Sequence, residues 1–92
     1  MESAHASDRA PALMATMAKH FGHKIPVDHG DTAVTLHFEM GDAVLTCDDK
    51  VLRMALDAPD AAAMADLRDV VERHLMRFAH REDPRPLTWT PA

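Results

Sequence analysis

The stretch from Ala33 to Asp57, AVTLHFEMGDAVLTCDDKVLRMALD, decides the fold, because its apolar residues recur at every second position and not at helical spacing. Val34, Leu36, Phe38 and Met40 alternate with Ala33, Thr35, His37 and Glu39, the pattern of a strand that buries one face. Gly41-Asp42 reads as a turn, Ala43 to Cys47 as a second strand, Asp48-Asp49-Lys50 as another turn, and Val51 to Asp57 as a third strand. In that third strand Leu52, Met54 and Leu56 share a face. Turns this short join antiparallel neighbours. Upstream, His29-Gly30-Asp31 reads as a turn and Lys24 to Asp28 as a further extended segment.

Helical spacing flanks the strands on both sides. Leu13, Met14, Met17, Ala18 and Phe21 recur three and four apart, with Asp8 placed to cap the helix. Gly22 is placed to stop it in the left-handed conformation, and Pro26 opposes continuation. After Asp57 the period changes again. Pro59 and Asp60 suit a helix start, and Met64, Leu67, Val71, His74 and Phe78, flanked by Val70 and Leu75, form a long apolar stripe. Asp69 with Arg73 and Arg68 with Glu72 read as solvated pairs, each worth at most a few tenths of a kcal/mol. Asp83-Pro84-Arg85-Pro86 ends the helix, and Leu87 to Thr90 is predicted to return as a short strand with Leu87 and Trp89 on one face.

Helix, four strands and helix predict a two-layer α+β sandwich: an antiparallel sheet of four to five strands with both helices on one face. Residues 1–92 suffice for one domain and are too few for two. Thr35, His37, Glu39, Thr46, Arg53 and Asp57 are expected on the helix-free face, where a partner or ligand could sit. A polar outer face is also what any half-buried antiparallel sheet requires.

Aromatic residues make up only 4% of the chain, so the core is expected to consist of Ala, Leu, Val and the seven Met. A formal charge of -5 repels a phosphate backbone and argues against nucleic acid. Full protonation of the seven His would bring that charge to +2, so the surface charge responds to acid. Cys47 is the sole cysteine, which excludes an internal disulfide and makes the cytoplasm the expected compartment. The opening Met1-Glu2-Ser3-Ala4-His5 lacks signal-peptide character, and no apolar run approaches the roughly 20 residues of a membrane span. An edge strand and a Met-rich surface leave the chain a monomer or a homodimer.

The chemistry-bearing residues concentrate where each helix ends: His20, His23 and Lys24 after the first, His74 and Arg77 in the second. These five are the candidate ligand-binding set. His20, His23 and His74 are candidate metal ligands for iron or zinc, which demand about three or four donors and require the two helix ends to meet. Competing structural readings exist for each. His74 lies on the apolar stripe and suits a boundary imidazole with one hydrogen bond. His20, His23 and Lys24 suit the negative end of a helix, as does the basic row Arg73, Arg77 and Arg81. Met14 and Met17, at helical spacing, read as core and not as a copper motif. No Gly-rich phosphate loop, nucleophile elbow or Cys-x-x-Cys is present, so no catalytic residue is assigned and the expected role is non-catalytic.

His20-Phe21-Gly22-His23-Lys24-Ile25-Pro26-Val27, followed by Val70-Val71-Glu72-Arg73-His74-Leu75-Met76-Arg77-Phe78-Ala79 and by Trp89, resembles the bacterial family known as domain of unknown function 2218. The resemblance implies a small cytoplasmic bacterial protein without an assigned activity, whose relatives occur beside or fused to siderophore-interacting flavin reductases. It implies the fold of a TATA-binding-protein half or of the terminal domain of phosphohexomutases, β-α-β4-α, with Ala4 to Ser7 as the first strand. Such a fold brings neither DNA binding nor phosphate transfer with it. Ala18 stands where many members carry a cysteine, which removes a sulfur ligand unless Cys47 replaces it. The expected function is a small binding or accessory module, linked through the family to iron or siderophore handling. Its partner would be a small molecule or a protein such as a siderophore-interacting reductase. The alternative is a His-dependent metal-binding protein.

Overall fold

The computed structural model describes residues 1–91. The alternating stretch forms three adjacent strands, β3 (Ala33–Phe38), β4 (Gly41–Cys47) and β5 (Val51–Asp57). An edge strand lies on either side, β1 (Glu2–Ala6) against β5 and β2 (Val27–His29) against β3, so the antiparallel order is β1-β5-β4-β3-β2. Helix α1 (Ala10–Gly22) connects β1 to β2, and α2 (Ala61–Phe78) follows β5. The expected α+β sandwich is therefore present, with the first strand running from Glu2 to Ala6 instead of from Ala4 to Ser7.

One face of the sheet is sealed by both helices. Leu36, Leu45, Leu52 and Met54 from the sheet, Leu13, Met17 and Phe21 from α1, and Leu67, Val71 and Leu75 from α2 form one buried cluster. Each such Leu contributes about 2 kcal/mol of transfer free energy. Leucine, not methionine, dominates this core. Met17 and Met54 are buried, whereas Met14, Met40, Met64 and Met76 pack partly buried against its margin. No large hydrophobic side chain is exposed among the described residues, so the expected Met-rich surface is absent.

Several local expectations change for identifiable reasons. Asp8 does not cap α1. The Ser7 hydroxyl accepts from the Arg9 N–H at 2.9 Å, and the Asp8 carboxylate instead receives Lys50 Nζ at 2.8 Å. Gly22 is the last helical residue and is not left-handed; His23 caps the helix in the right-handed region, and the Phe21 carbonyl accepts from both Lys24 N–H and Ile25 N–H at 2.9 Å. A tightened last turn thus replaces the glycine stop.

The β3–β4 turn is Glu39-Met40 and not Gly41-Asp42, since Phe38 pairs with Gly41 across the hairpin. This takes Glu39 off the open face. At the next hairpin the expectation holds: Asp48 Oδ1 accepts from Lys50 and Val51 N–H, both at 2.8 Å, an Asx-type turn. Asp60 caps α2 by accepting from Ala63 N–H at 2.8 Å.

Beyond α2, a short 3₁₀ turn (His80–Glu82) ends at Asp83 with φ of 51°. The chain from Pro84 onward runs back beside β1. It makes one bridge, Glu2 with Thr90, instead of the expected strand from Leu87 to Thr90. Ser3 Oγ donates to the Thr88 carbonyl at 2.8 Å, and Glu72 accepts from Trp89 Nε1 at 2.7 Å and from Leu87 N–H at 3.3 Å. Glu72 is therefore a fastener for the C-terminal segment and not half of a solvated pair with Arg68. Arg68 lies over the Trp89 ring at 5.8 Å. Asp69 and Arg73 do form the expected exposed pair, at 3.7 Å.

Candidate functional site

The last turns of α1 and α2 come together at one end of the sandwich. The His20 ring lies 5.1 Å from that of His74, centroid to centroid, and 5.3 Å from Phe78. Phe21, buried beneath, meets His20 at 5.0 Å, His74 at 4.8 Å and Phe38 of β3 at 4.9 Å. Both helices pack on the same face of the sheet and against each other, which lets these rings meet. Rings at these separations, mostly edge to face, gain about 0.5–1.5 kcal/mol per pair beyond area burial.

The two imidazoles are held differently. His74 Nδ1 donates to the Val70 carbonyl one turn back, at 2.7 Å, so Nε2 carries the lone pair in the neutral ring. His20 has no such tether. Its Nε2 is shielded from solvent and has no hydrogen-bond partner. Desolvation lowers the pKa of His20, and the charges of Lys24, His74, Arg77 and His23, in that order, lower it further. Each charge that acts on this ring is cationic. Lys24 and Arg77 are exposed and enter no ion pair among the described residues.

The five residues singled out by sequence thus share one neighbourhood, with His20 at its centre. Only His20 and His74 touch ring to ring; His23, Lys24 and Arg77 are exposed around them. Among the described residues, no group of three or more His, Cys, Asp or Glu side chains is placed to hold a metal ion. His20, His23 and His74 therefore do not converge as a ligand set, because the helix ends at His23 and carries it outward. Cys47, free and half-buried, does not complete one.

The helix-free face of the sheet holds a second polar arrangement. His37 stands between two carboxylates, with Nε2 2.7 Å from Asp28 Oδ2 and Nδ1 2.9 Å from Asp42 Oδ1. The hydrogen bond to Asp28, then that to Asp42, raise its pKa. Asp28 comes from edge strand β2 and Asp42 from β4, so the ring ties three strands together. Arg53 Nη1 donates to Asp48 at 3.2 Å on the same face. Asp28 and Asp42 were not foreseen as partners of His37, since only the strand register brings them there.

No helix among the described residues is long and apolar enough to cross a membrane. The molecule is thus defined as a small β-α-β4-α domain whose imidazole and basic side chains gather where its two helices end. The chain belongs to the family described as uncharacterized protein conserved in bacteria (DUF2218), which it matches over residues 2–90. It is similar to a protein solved by NMR, PA4090 from Pseudomonas aeruginosa, at 27% identity and a TM-score of 0.79. That similarity covers 99% of this chain and 94% of the other. No curated protein matches the sequence.

Proposed function

We propose that this domain is a non-catalytic binding module that engages a negatively charged group at the joined ends of α1 and α2. The observation that carries the reading is His20 Nε2, shielded and without a partner while the charges acting on its ring are all cationic. An arriving carboxylate or phosphate, met by the exposed Lys24 and Arg77, would relieve that repulsion and raise the affinity of His20 for a proton. Each helix end contributes roughly half a negative charge, which the full charges of Lys24 and Arg77 outweigh.

The iron or siderophore connection rests on the family resemblance. The site itself offers two imidazoles where zinc or iron takes about three or four protein donors, which favours the anion reading over the metal one.

Titration of ¹⁵N-labelled protein with inorganic phosphate and with hexaglutamate tests this. Saturable shifts at His20, His23, Lys24, His74 and Arg77, weakened about tenfold by Arg77→Gln and by salt, are expected. Shifts elsewhere, or shifts indifferent to Arg77→Gln, would remove the proposal. A turnover activity of the purified protein that vanishes on His20→Ala would end its non-catalytic part.

A further inference from the structure

The helix-free face contains a depression of about 380 Å³ that the paired helix ends do not explain. Its floor is Ala4 of β1, Ala55 of β5 and Val44 of β4, where three adjacent strands all present small side chains. Thr46 and Arg53, opposite one another across β4 and β5, rise on one side. The C-terminal segment at Thr88 and Thr90 rises on the other, beside β1.

Two opposite charges border this floor. Glu2 lies opposite Ala55 and Arg53 opposite Ala4, so the two stand diagonally across the β1–β5 pair, about 7–8 Å apart at that spacing. They form no ion pair with each other. Arg53 uses Nη1 on Asp48, and Glu2 has no ion-pair partner among the described residues. An anion site, a cation site and an apolar floor between them match a molecule with one charge of each sign and a short apolar middle.

We infer that this depression binds a small zwitterion of the short-peptide type. Its ammonium group meets Glu2, its carboxylate meets the Arg53 guanidinium beside the Thr46 hydroxyl, and its apolar body lies over Ala4, Val44 and Ala55. A shallow open site of this size gives affinity on the order of millimolar. The site lies on the face opposite the core and the helices, so it stands or falls separately from the anion site around His20.

The test uses the dipeptide alanylalanine with ¹⁵N-labelled protein, alongside its N-acetylated and C-amidated forms, each of which removes one charge. Saturable backbone shifts at Ala4, Val44, Thr46, Arg53 and Ala55 are expected with the free dipeptide, and about tenfold weaker binding with either blocked form. Arg53→Gln should reproduce the loss seen with the amide, and Glu2→Gln the loss seen with the acetyl form. Equal response to all three dipeptides, shifts centred on another surface, or no saturable shift would each overturn the inference, and none of these readings depends on a variant that folds.

Discussion

The imidazoles of His20 and His74 lie 5.1 Å apart, each from the last turns of a different helix. The contact follows from packing: both helices lie on one face of the sheet and against each other. Phe21 and Phe78 complete the cluster, in which the half-buried imidazoles keep three ring nitrogens without a hydrogen-bond partner, one of them, His20 Nε2, shielded.

His20 should titrate below the ordinary imidazole value of about 6.5. Its folded-state pKa is lower than its unfolded one, so the unfolded chain binds more protons in that interval. The stability linked to this group is present above about pH 6.5 and is lost as pH falls through the folded value. Lys24→Gln should move the His20 midpoint upward, because the Lys24 charge is the leading Coulombic cause. NMR titration of the ring protons checks this; an unchanged midpoint in Lys24→Gln would contradict the assigned field.

His37 behaves in the opposite sense. Its pKa is raised by Asp28 and Asp42, so the stability it contributes is full below about pH 6.5 and fades as pH rises through the folded value. Thermal melts of the wild type and of His37→Gln between about pH 6 and 9 should therefore converge as pH increases. Amide-exchange protection factors at Asp28 and His29 of the edge strand, corrected for the intrinsic rate, should fall over the same range. A constant melting difference would show that His37 acts only by packing.

Glu72→Ala should release the C-terminal segment. The carboxylate accepts from Trp89 Nε1 at 2.7 Å and from Leu87 N–H, contacts worth about 2 kcal/mol together when charge-assisted and partly buried. Trp89 is the only tryptophan, so its fluorescence reports on the segment directly. A red shift and a destabilisation of about 2 kcal/mol in denaturant melts are expected. An unchanged spectrum would mean that the segment is held by Ser3 and Glu2 alone.

Two glycines should respond oppositely to alanine. A Cβ at Gly41 would collide with the Asp57 carbonyl and crowd Ala58, at a backbone φ of +156°. Gly41→Ala should cost about 3 kcal/mol or more, since both obstacles belong to the neighbouring strand and its exit. A Cβ at Gly22 meets nothing within 4 Å, and the residue is helical. Gly22→Ala should stabilise by about 0.5 kcal/mol, measured as an increased melting temperature. A loss of stability there would restore the left-handed stop that the sequence led us to expect.

The central strands were legible because burial of one sheet face imposes a two-residue period, and Val51 to Asp57 matches β5 residue for residue. Chain ends and caps were less so. Ser7 and Asp8 are both chemically able to serve the start of α1, and the choice turned on Lys50, which a β-hairpin delivers to Asp8. Glu72 looked like half of an i,i+4 pair with Arg68 because helical spacing records neighbours on the same helix and says nothing of a segment that returns from outside it. His20, His23, Lys24, His74 and Arg77 were recognisable as a polar set left over after packing was explained. Their distances were not.

The sequence by itself determined the two helices, the four strands between them, their order, the two-layer class and the residues with chemical capacity, since each follows from local periodicity and residue type; the first strand came from the family resemblance. Tertiary structure alone decided which of those residues meet. That His20 faces His74, that His23 turns outward, and that Asp28 and Asp42 grip His37 depend on helix packing and strand register. These couple positions far apart in the chain through burial of a common core, and local sequence carries no record of that coupling.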